Sequence, residues 1–206
     1  MAAVRVPTLG SDDTMLRVLA SGMSDTTVEF WECNEGGRRE GVIEDFSLAR
    51  NRSFELAQQP WILWADADDV VKGAENLSAI CEKIPSGAKH MVLFPYEYSH
   101  DHNGNVTCRH YRERLVPKAL GCRWFGPVHE VLMPPEPCSM EQSDLLTFVH
   151  GRAGKGGDAG RNLRILQKWL ARHGESDARM LYYTGLEYAN SGNVKRSVEY
   201  HEKYLA

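Results

Sequence analysis

The chain has 206 residues, of which 42% are hydrophobic and 25% are charged, and its formal net charge is −4. That length suffices for one α/β domain with a small extension, and the mild acidity argues against a nucleic-acid-binding protein, which would carry a basic excess. The five cysteines include no C-x-x-C pair, which argues against a disulfide framework or a structural zinc site. A reducing cytoplasm is therefore the expected location. No apolar run approaches the ~18 residues of a membrane span, so we expect no such span.

The sequence of the N-terminal third of the chain predicts alternating helices and strands. A helix carrying Leu16 and Leu19 is followed by a strand at residues 27–33, which are rich in β-branched and aromatic side chains. The next helix covers about residues 46–58, and Asp45 is its expected N-cap.

The middle of the chain continues this alternation. The apolar run at residues 61–65 predicts a strand that is buried on both faces of a parallel sheet. An amphipathic helix that ends at Pro85 follows, and then two strands at residues 91–98 and 106–116, joined by a turn at 101–105. The order of these elements indicates an α/β fold.

The composition changes after residue 150, where the segment 151–160 is rich in glycine. Three helices are predicted beyond it, at residues 161–173, 178–190 and 194–205. Small and aromatic residues in the last two are spaced as in a tetratricopeptide hairpin. We therefore expect an α/β domain over residues 1–155 and an α-helical, tetratricopeptide-like extension over residues 156–206.

Two carboxylates, Asp66 and Asp68, directly follow the apolar strand at residues 61–65. The carboxyl ends of strands are where open α/β sheets bind ligands, and paired carboxylates there offer hard oxygen ligands to Mg²⁺ or Mn²⁺. A solvated acidic loop or a helix cap is the alternative interpretation, and the residues alone leave both open.

Several segments, taken in order, carry a family resemblance. They are residues 10–14 (GSDDT), 45–51 (DFSLARN), 61–69 (WILWADADD), 112–116 (RERLV), 126–130 (GPVHE), and His150 with 161–163 (RNL). This combination resembles family 2 glycosyltransferases of the glycosyltransferase-A fold, and more narrowly a bacterial and phage subgroup with a tetratricopeptide-like tail. The resemblance implies a mixed sheet flanked by helices, followed by that helical tail. Because so few residues precede the first segment, we expect an N-terminally truncated member without the family's first strand and helix.

The resemblance implies a metal-dependent, inverting transferase that moves a sugar, such as a hexose, from a nucleotide-diphosphate donor to an acceptor hydroxyl. The acceptor would be a glycan, a protein or a lipid-linked molecule, and the helical tail would be a surface for a protein partner. Asp66, Asp68 and His150 would hold Mn²⁺ or Mg²⁺, which neutralises the charge that develops on the departing diphosphate.

The resemblance also implies which residues meet the nucleotide. Arg50 and Asn51 would face it from the helix before the acidic motif, since a guanidinium suits phosphate and an amide suits a ribose or base edge. Asp66 would lie beside the same nucleotide. Asp12 or Asp13 would take the place of the family's usual acidic residue at the nucleobase.

An inverting transferase needs one base to take the proton of the acceptor hydroxyl. Glu130 is the expected base and His129 the second choice, because adjacent side chains of an extended chain point in opposite directions.

Two other hypotheses remain. The segment 61–70 fits the hhhhDxDxV pattern of haloacid-dehalogenase-like phosphohydrolases, in which Asp66 would be a nucleophile and Asp68 an acid/base. The chain could also be a non-catalytic binding module, in which a degenerate transferase domain supports a helical interaction surface.

Overall fold

The computed structural model describes residues 3–4, 38–39, 42–66, 68–84, 88–151 and 160–206. The helix predicted at Leu16 and Leu19 and the strand predicted at residues 27–33 lie outside these ranges, as do Asp12 and Asp13.

The chain divides into two compact units. The sheet unit comprises Met1–Cys33, Arg50–Arg123 and Leu132–Ala153, and the helical unit comprises Asn34–Ala49, Trp124–Val131 and Gly154–Ala206. The helical unit thus takes in two segments that precede the C-terminal helices. The domain boundary expected between residues 155 and 156 stays a prediction.

The described elements up to residue 150 are mostly strands, with two α-helices among them, and three helices follow. The strands are β1 (Ala3–Val4), β2 (Arg38–Arg39), β3 (Val42–Ile43), β4 (Trp61–Leu63), β5 (Asp69–Lys72), β6 (His90–His100), β7 (Val106–Pro117), β8 (Arg123–Phe125), β9 (Val131–Met133), β10 (Ser139–Gln142) and β11 (Thr147–His150). The helices are α1 (Phe46–Leu56), α2 (Leu77–Lys83), α3 (Arg161–His173), α4 (Ala178–Asn190) and α5 (Val194–Leu205), with 3₁₀ turns at Ala74–Asn76 and Lys118–Leu120.

Within the described residues, seven strands form one sheet in the order β1-β4-β7-β6-β11-β5, and β10 pairs with β6 outside this path. β4 is parallel to β1 and antiparallel to β7, while β11 is parallel to β6 and antiparallel to β5. The expectation of an α/β fold with a mixed sheet is therefore confirmed. Two short pairs, β2 with β3 and β8 with β9, lie outside this sheet.

The strand before the acidic motif is buried along its whole length, as its apolar run predicts. The prediction of a parallel sheet around it is wrong in one respect, since Trp61 to Leu63 pair antiparallel with Pro117 to Leu115. β7 is the second strand of a long hairpin with β6, and the C-terminal end of β7 lies beside β4.

The β6–β7 hairpin is confirmed, and both strands are longer than predicted. The Asp101 carboxylate closes the turn by accepting hydrogen bonds from the backbone N–H groups of Asn103 (2.9 Å) and Asn105 (2.8 Å). Local turn chemistry thus closes the hairpin of the two longest strands of the sheet, whose register shifts at three places along its length.

The core of the sheet unit lies between the sheet and α2. Its buried members are Trp61, Leu63, Leu77, Ile80, Val92, Phe94, Tyr96, Leu115, Leu146 and Phe148. Tyr96 is the one hydroxyl-bearing side chain among these, and its hydroxyl belongs to the polar site described below.

Helix α1 begins where the sequence predicts. The Asp45 carboxylate accepts a hydrogen bond from the backbone N–H of Leu48 (3.2 Å) and another from the Ser47 hydroxyl (2.7 Å). This side-chain cap satisfies donors that the first turn of a helix leaves without an intrahelical partner. The helix ends at Leu56, four residues before Pro60.

The three C-terminal helices have the predicted bounds, and two of them begin at side-chain caps. The carboxylate of Asp177 accepts from the N–H of Met180, and the amide oxygen of Asn193 accepts from that of Arg196. The helical unit has its own apolar core, composed of Val128, Ile165, Leu166, Leu170, Met180, Leu181, Tyr188 and Tyr200. None of the described helices is long and apolar enough to cross a membrane.

The hairpin of α4 and α5 shows part of the packing that is expected of a tetratricopeptide hairpin. Gly185 faces the ring of His201, and the rings of Tyr188 and Tyr200 stack with centroids 5.4 Å apart. Leu205, in contrast, is 79% exposed. The tetratricopeptide-like character of this hairpin stays a prediction.

A matched pair of glycines tests the packing of the loop after β5. Both Gly73 and Gly104 have positive φ, but a Cβ on Gly73 would lie 2.2 Å from the carbonyl oxygen of Leu145, whereas a Cβ on Gly104 would meet nothing within 4 Å. We expect Gly104→Ala to cost about 1–2 kcal/mol through left-handed backbone strain. Gly73→Ala should cost a further ~1–3 kcal/mol through the clash. Urea unfolding of the two variants measures the difference, and equal losses would contradict it.

Candidate active site

The acidic loop after β4 is closed by two hydrogen bonds between the same pair of residues. The backbone N–H of Asp69 donates to the carbonyl of Asp66 (2.9 Å), and the backbone N–H of Asp66 donates to Oδ2 of Asp69 (3.0 Å). Asp69 then begins β5, where its register partner in β11 is His150. Strand pairing therefore places His150 beside the acidic loop.

Three potential metal ligands converge at this point. One ligand atom from each of Asp68, Asp69 and His150 lies within 4.8 Å of the other two. Nδ1 of His150 is 3.7 Å from Oδ2 of Asp68 and 3.8 Å from Oδ1 of Asp69. We call these three residues the ligand cluster.

The ligand cluster fits a divalent cation. Its donor set of two carboxylates and one imidazole suits Mn²⁺, and the carboxylates alone suit Mg²⁺. Oδ1 of Asp69 is buried, and no hydrogen-bond donor among the described residues meets it in good geometry. A buried acceptor without a partner is costly, so a cation at this oxygen would satisfy it.

Asp66 has a different environment from the cluster. Its Oδ1 lies 2.6 Å from Nη2 of Arg50. Burial alone would raise the pKa of Asp66, but the charges of Arg50 and Arg114 outweigh burial and hold that pKa below its ordinary value. Of the three predicted ligands, the structure thus brings Asp68 and His150 together, and a metal contact by Asp66 stays a prediction.

A fully buried arginine lies behind the cluster. Nη2 of Arg114 is 3.0 Å from Oδ2 of Asp69, and both side chains are 0% exposed. The guanidinium carbon lies 3.8 Å from the ring centroid of Trp64, 4.5 Å from that of Tyr96 and 4.6 Å from that of Phe148. Arg114 is therefore enclosed by three aromatic rings, with the Asp69 carboxylate as its buried counter-charge.

Burial shifts the titration of both partners of this ion pair. It lowers the pKa of Arg114, against the charges of Asp69 and Asp66. It also raises the pKa of Asp69, against the charge of Arg114. The pair is thus held by mutual attraction at a place where each charge alone would be unfavourable.

Two tyrosines of β6 fix the imidazole of His150. The hydroxyl of Tyr96 is hydrogen-bonded to Nδ1 of His150 at 3.0 Å, and the ring of Tyr98 stacks on the imidazole at 5.4 Å. Burial and the nearby charges of Asp69 and Asp66 raise the pKa of Tyr96, so its hydroxyl stays protonated. Both contacts fix the orientation of the ring, and a cation bound at Nδ1 would take the place of the hydrogen bond with Tyr96.

The predicted nucleotide-binding residues of α1 differ in exposure. Arg50 lies with its guanidinium carbon 5.0 Å from the ring centroid of Trp64 and is partly exposed, whereas Asn51 is buried. Their contacts with a nucleotide stay predictions, as do those of Asp12 and Asp13, which the structure does not describe.

The predicted catalytic residues belong to the helical unit, whereas the ligand cluster belongs to the sheet unit. Glu130 is half-buried, and His129 contacts α4 through its ring and its backbone carbonyl. A base role for either residue stays a prediction.

Sequence reasoning missed Asp69 and Arg114. The sequence analysis assigns no role to Asp69, although this residue opens the strand-like sequence Asp-Val-Val. Arg114 stands directly before the buried Leu115 and Val116, and an arginine next to an apolar strand segment was the available signal.

Comparisons with known proteins give structural matches but no family. No protein-family model matches the chain, and no curated protein does. The structure is similar to a crystal structure of S. aureus TarS, with a TM-score of 0.39 and 11% identity over 91% of this chain and 43% of that one. It is also similar to crystal structures of S. aureus TarS 1–349, with a TM-score of 0.40 and 12% identity over 98% of this chain and 90% of that one. For a crystal structure of the same fragment in complex with UDP-GlcNAc, the TM-score is 0.37 and the identity is 12%, over 91% of this chain and 72% of that one. These TM-scores lie below 0.5, so we base the function on this chain's own residues.

The buried ion pair of Asp69 and Arg114 should contribute to the stability of the protein. Arg114→Met should lower the free energy of unfolding by about 3–5 kcal/mol, because it leaves the Asp69 carboxylate buried without a counter-charge. The double variant Arg114→Met/Asp69→Asn should recover much of that loss, since it removes both charges together. Urea unfolding of the single and double variants measures the coupling.

The matched control is Arg112→Met. Arg112 lies 5.4 Å from the same Trp64 ring, but its side chain is 30% exposed. We expect this substitution to change stability by less than about 1 kcal/mol. Equal effects at Arg112 and Arg114, or additive effects in the double variant, would contradict the role given to the buried pair.

Proposed function

We propose that this chain is a metal-dependent, inverting glycosyltransferase that moves a sugar from a nucleotide-diphosphate donor to an acceptor hydroxyl. The observation that carries the proposal is the ligand cluster, in which Asp68, Asp69 and His150 each offer one ligand atom within 4.8 Å of the other two. The order of the sequence segments that resemble family 2 glycosyltransferases supports the same conclusion.

The cluster would hold Mn²⁺ or Mg²⁺, and a metal there supplies charge neutralisation for a departing diphosphate. The guanidinium groups of Arg50 and Arg112 both lie near the Trp64 ring, at 5.0 and 5.4 Å, and they pair with the carboxylates of Asp66 and Glu113. Both are partly exposed, with side-chain exposures of 19% and 30%. Arginines of this kind suit phosphate oxygens, with which a guanidinium forms two parallel hydrogen bonds.

Inversion requires a single displacement with one general base. The acceptor oxygen attacks the anomeric carbon from the face opposite the diphosphate, and its proton passes to the base. The segment 126–130 supplies two candidates for that base, Glu130 and His129.

Metal binding tests the proposal directly. Titration of Mn²⁺ into the protein, followed by the Mn²⁺ electron paramagnetic resonance signal, should show one site whose affinity falls more than about 10-fold in Asp68→Asn and in His150→Gln, since each loses a ligand. Glu141→Gln is the control, because Glu141 is an exposed carboxylate of β10 that pairs with His90 of β6. Unchanged Mn²⁺ affinity in both ligand variants would overturn the proposal.

Turnover separates the transferase from its alternatives. With Mn²⁺ present, we expect release of nucleoside diphosphate from at least one of a panel of UDP-, GDP- and dTDP-hexoses, and loss of that release in Asp68→Asn. Hydrolysis of a phosphate monoester that is blocked by beryllofluoride would indicate the phosphohydrolase instead. Metal binding without either reaction would indicate the non-catalytic binding module.

A further inference from the structure

We propose that the rings of Tyr98 and His110 form an aromatic platform on which a pyranose ring stacks beside the ligand cluster. This proposal rests on the proposed function and deepens it, because it names the part of the substrate that lies next to the metal site. Tyr98 and His110 belong to the sheet unit, as do all three residues of the ligand cluster. Platform and cluster therefore lie within one compact unit.

Aromatic side chains follow one another along a single face of β6. Phe94, Tyr96 and Tyr98 lie two residues apart, so they share that face. Their exposed fraction rises from 0% at Phe94 to 5% at Tyr96 and 52% at Tyr98. The first two belong to the core of the sheet unit. Tyr98 is thus the solvent-exposed end of an aromatic row that begins in the core.

An irregularity in the β6–β7 hairpin gives Tyr98 its position. Glu97 of β6 pairs with Arg109 of β7, and Ser99 pairs with Cys108, which directly precedes Arg109. Tyr98 is therefore an extra residue between two successive pairs, which is the arrangement of a β-bulge. Bulges are common next to active sites, where they redirect a side chain. The ladder is thus interrupted at the exposed aromatic residue of the row.

The ring of Tyr98 is flanked by two imidazoles, because β6 lies between β7 and β11 in the sheet. It stacks on His150 of β11 with centroids 5.4 Å apart and planes 15° from parallel. Its centroid lies 6.1 Å from that of His110 of β7, with planes 55° apart. His150 therefore covers one face of the Tyr98 ring, whereas the tilt of His110 leaves the other side of that ring open to solvent.

His110 adds an uncharged ring to this surface. It is exposed, and it packs edge to face on Tyr96, its register partner in the hairpin, with centroids 5.6 Å apart. Partial burial and the charges of Arg112 and Arg114 lower the pKa of His110, so its imidazole is neutral at neutral pH. The platform thus presents two neutral aromatic rings, and such a surface suits an uncharged ring rather than a phosphate.

A pyranose has the shape and polarity that this surface requires. The C–H groups on one face of the sugar carry small positive partial charges, and the face of an aromatic ring is negative. The sugar hydroxyls point outward from the edge of the pyranose, so they stay hydrated when the C–H face stacks on an aromatic side chain. An exposed tyrosine ring can therefore bind a sugar without displacing water from its hydroxyl groups.

The place of Tyr98 beside the metal site favours a sugar over a nucleobase. Tyr98 stacks on His150, which is itself one of the three residues of the ligand cluster. In a nucleotide sugar, the hexose is bonded directly to the diphosphate that a metal binds, whereas the ribose separates the base from that diphosphate. Two pyranoses meet at the reacting bond, the donor hexose and an acceptor sugar, and the experiment distinguishes them.

The first measurement isolates the contribution of the donor hexose. Isothermal titration at saturating Mn²⁺ gives the Kd of UDP, GDP and dTDP and the Kd of their hexose derivatives. The first divided by the second is the hexose ratio. Tyr98→Leu should lower this ratio by about 3- to 10-fold, because it removes the aromatic face. Tyr98→Phe keeps the ring, so the ratio should stay within about twofold of the wild-type value.

Two controls exclude indirect effects. Because Tyr98 contacts a residue of the ligand cluster, Mn²⁺ affinity is measured for every variant, and the nucleoside diphosphate is the internal reference for any change at the metal site. Tyr111→Leu is the matched variant. Tyr111 follows His110 on β7, so its side chain lies on the opposite face of the sheet, where its hydroxyl donates to Asp144 at 2.9 Å. We expect Tyr111→Leu to leave the hexose ratio unchanged.

The second measurement uses free sugars and needs no nucleotide. Saturation-transfer difference NMR with the methyl glycosides of glucose, galactose, mannose and N-acetylglucosamine shows which sugar protons contact the protein. We expect signals from the C–H protons of one pyranose face, lost in Tyr98→Leu and kept in Tyr98→Phe. Loss of these signals with an unchanged hexose ratio assigns the platform to the acceptor sugar, and a lowered ratio assigns it to the donor hexose.

Three results would overturn the platform or the function on which it rests. The platform is refuted if Tyr98→Leu changes neither the hexose ratio nor the glycoside signals. It is also refuted if Tyr98→Leu weakens a nucleoside diphosphate and its hexose derivative equally at unchanged Mn²⁺ affinity, since the base would then lie on Tyr98. Absence of Mn²⁺-dependent nucleotide binding in the wild type would refute the proposed function. The glycoside signals then decide on the platform alone, and their absence in the wild type refutes it too.

Discussion

The candidate metal site depends on one buried electrostatic interaction, the ion pair between Asp69 and Arg114. Both side chains are inaccessible to solvent, and each would be strongly unfavourable without the other. The rings of Trp64, Tyr96 and Phe148 enclose the guanidinium, and their faces attract a cation without offering it a proton acceptor. Arg114 and the backbone N–H of Asp66 hold Oδ2 of Asp69, so Oδ1 is left to face His150. The polar site is therefore an extension of the aromatic core rather than a feature of a surface loop.

The register of the strands brings the other ligands of the candidate metal site to the Asp69–Arg114 ion pair. Asp69 opens β5 opposite His150 at the end of β11, and β11 in turn pairs with β6, which carries Tyr96. A slip of one residue between β5 and β11 would turn His150 to the other face of the sheet. The hydrogen bond from Tyr96 and the stacked ring of Tyr98 would then have no imidazole to hold. The cluster therefore forms only when β5, β6 and β11, which are not consecutive in sequence, pair in this register.

The sequence was informative where structure is decided locally. The Asp45 cap, the turn closed by Asp101 and the bounds of α3 to α5 follow from side chains within a few residues of each element, and each prediction is confirmed. Predictions were weakest where distant strands decide the outcome. The antiparallel partner of β4 and the burial of Arg114 both arise from β7, whose position beside β4 is set by the whole β6–β7 hairpin. Asp69 was overlooked for the same reason, because its role depends on a strand partner some 80 residues away in the chain.

The two histidines of the candidate sites show why residue type alone could not assign a role. Nδ1 of His150 faces two carboxylates and the hydroxyl of a tyrosine whose pKa is raised, an environment that favours a bound cation. Nε2 of His129 lies 3.0 Å from one carboxylate oxygen, that of Glu187, and the ring stacks on Tyr183. Each histidine is contacted at one nitrogen and by a stacked tyrosine, so the difference between them lies in the number of carboxylates near that nitrogen. In both cases a buried or half-buried carboxylate, Asp69 or Glu187, is positioned first by a nitrogen donor of its own, Arg114 or Asn162. The position of each imidazole is therefore tied to a carboxylate that has a nitrogen donor of its own.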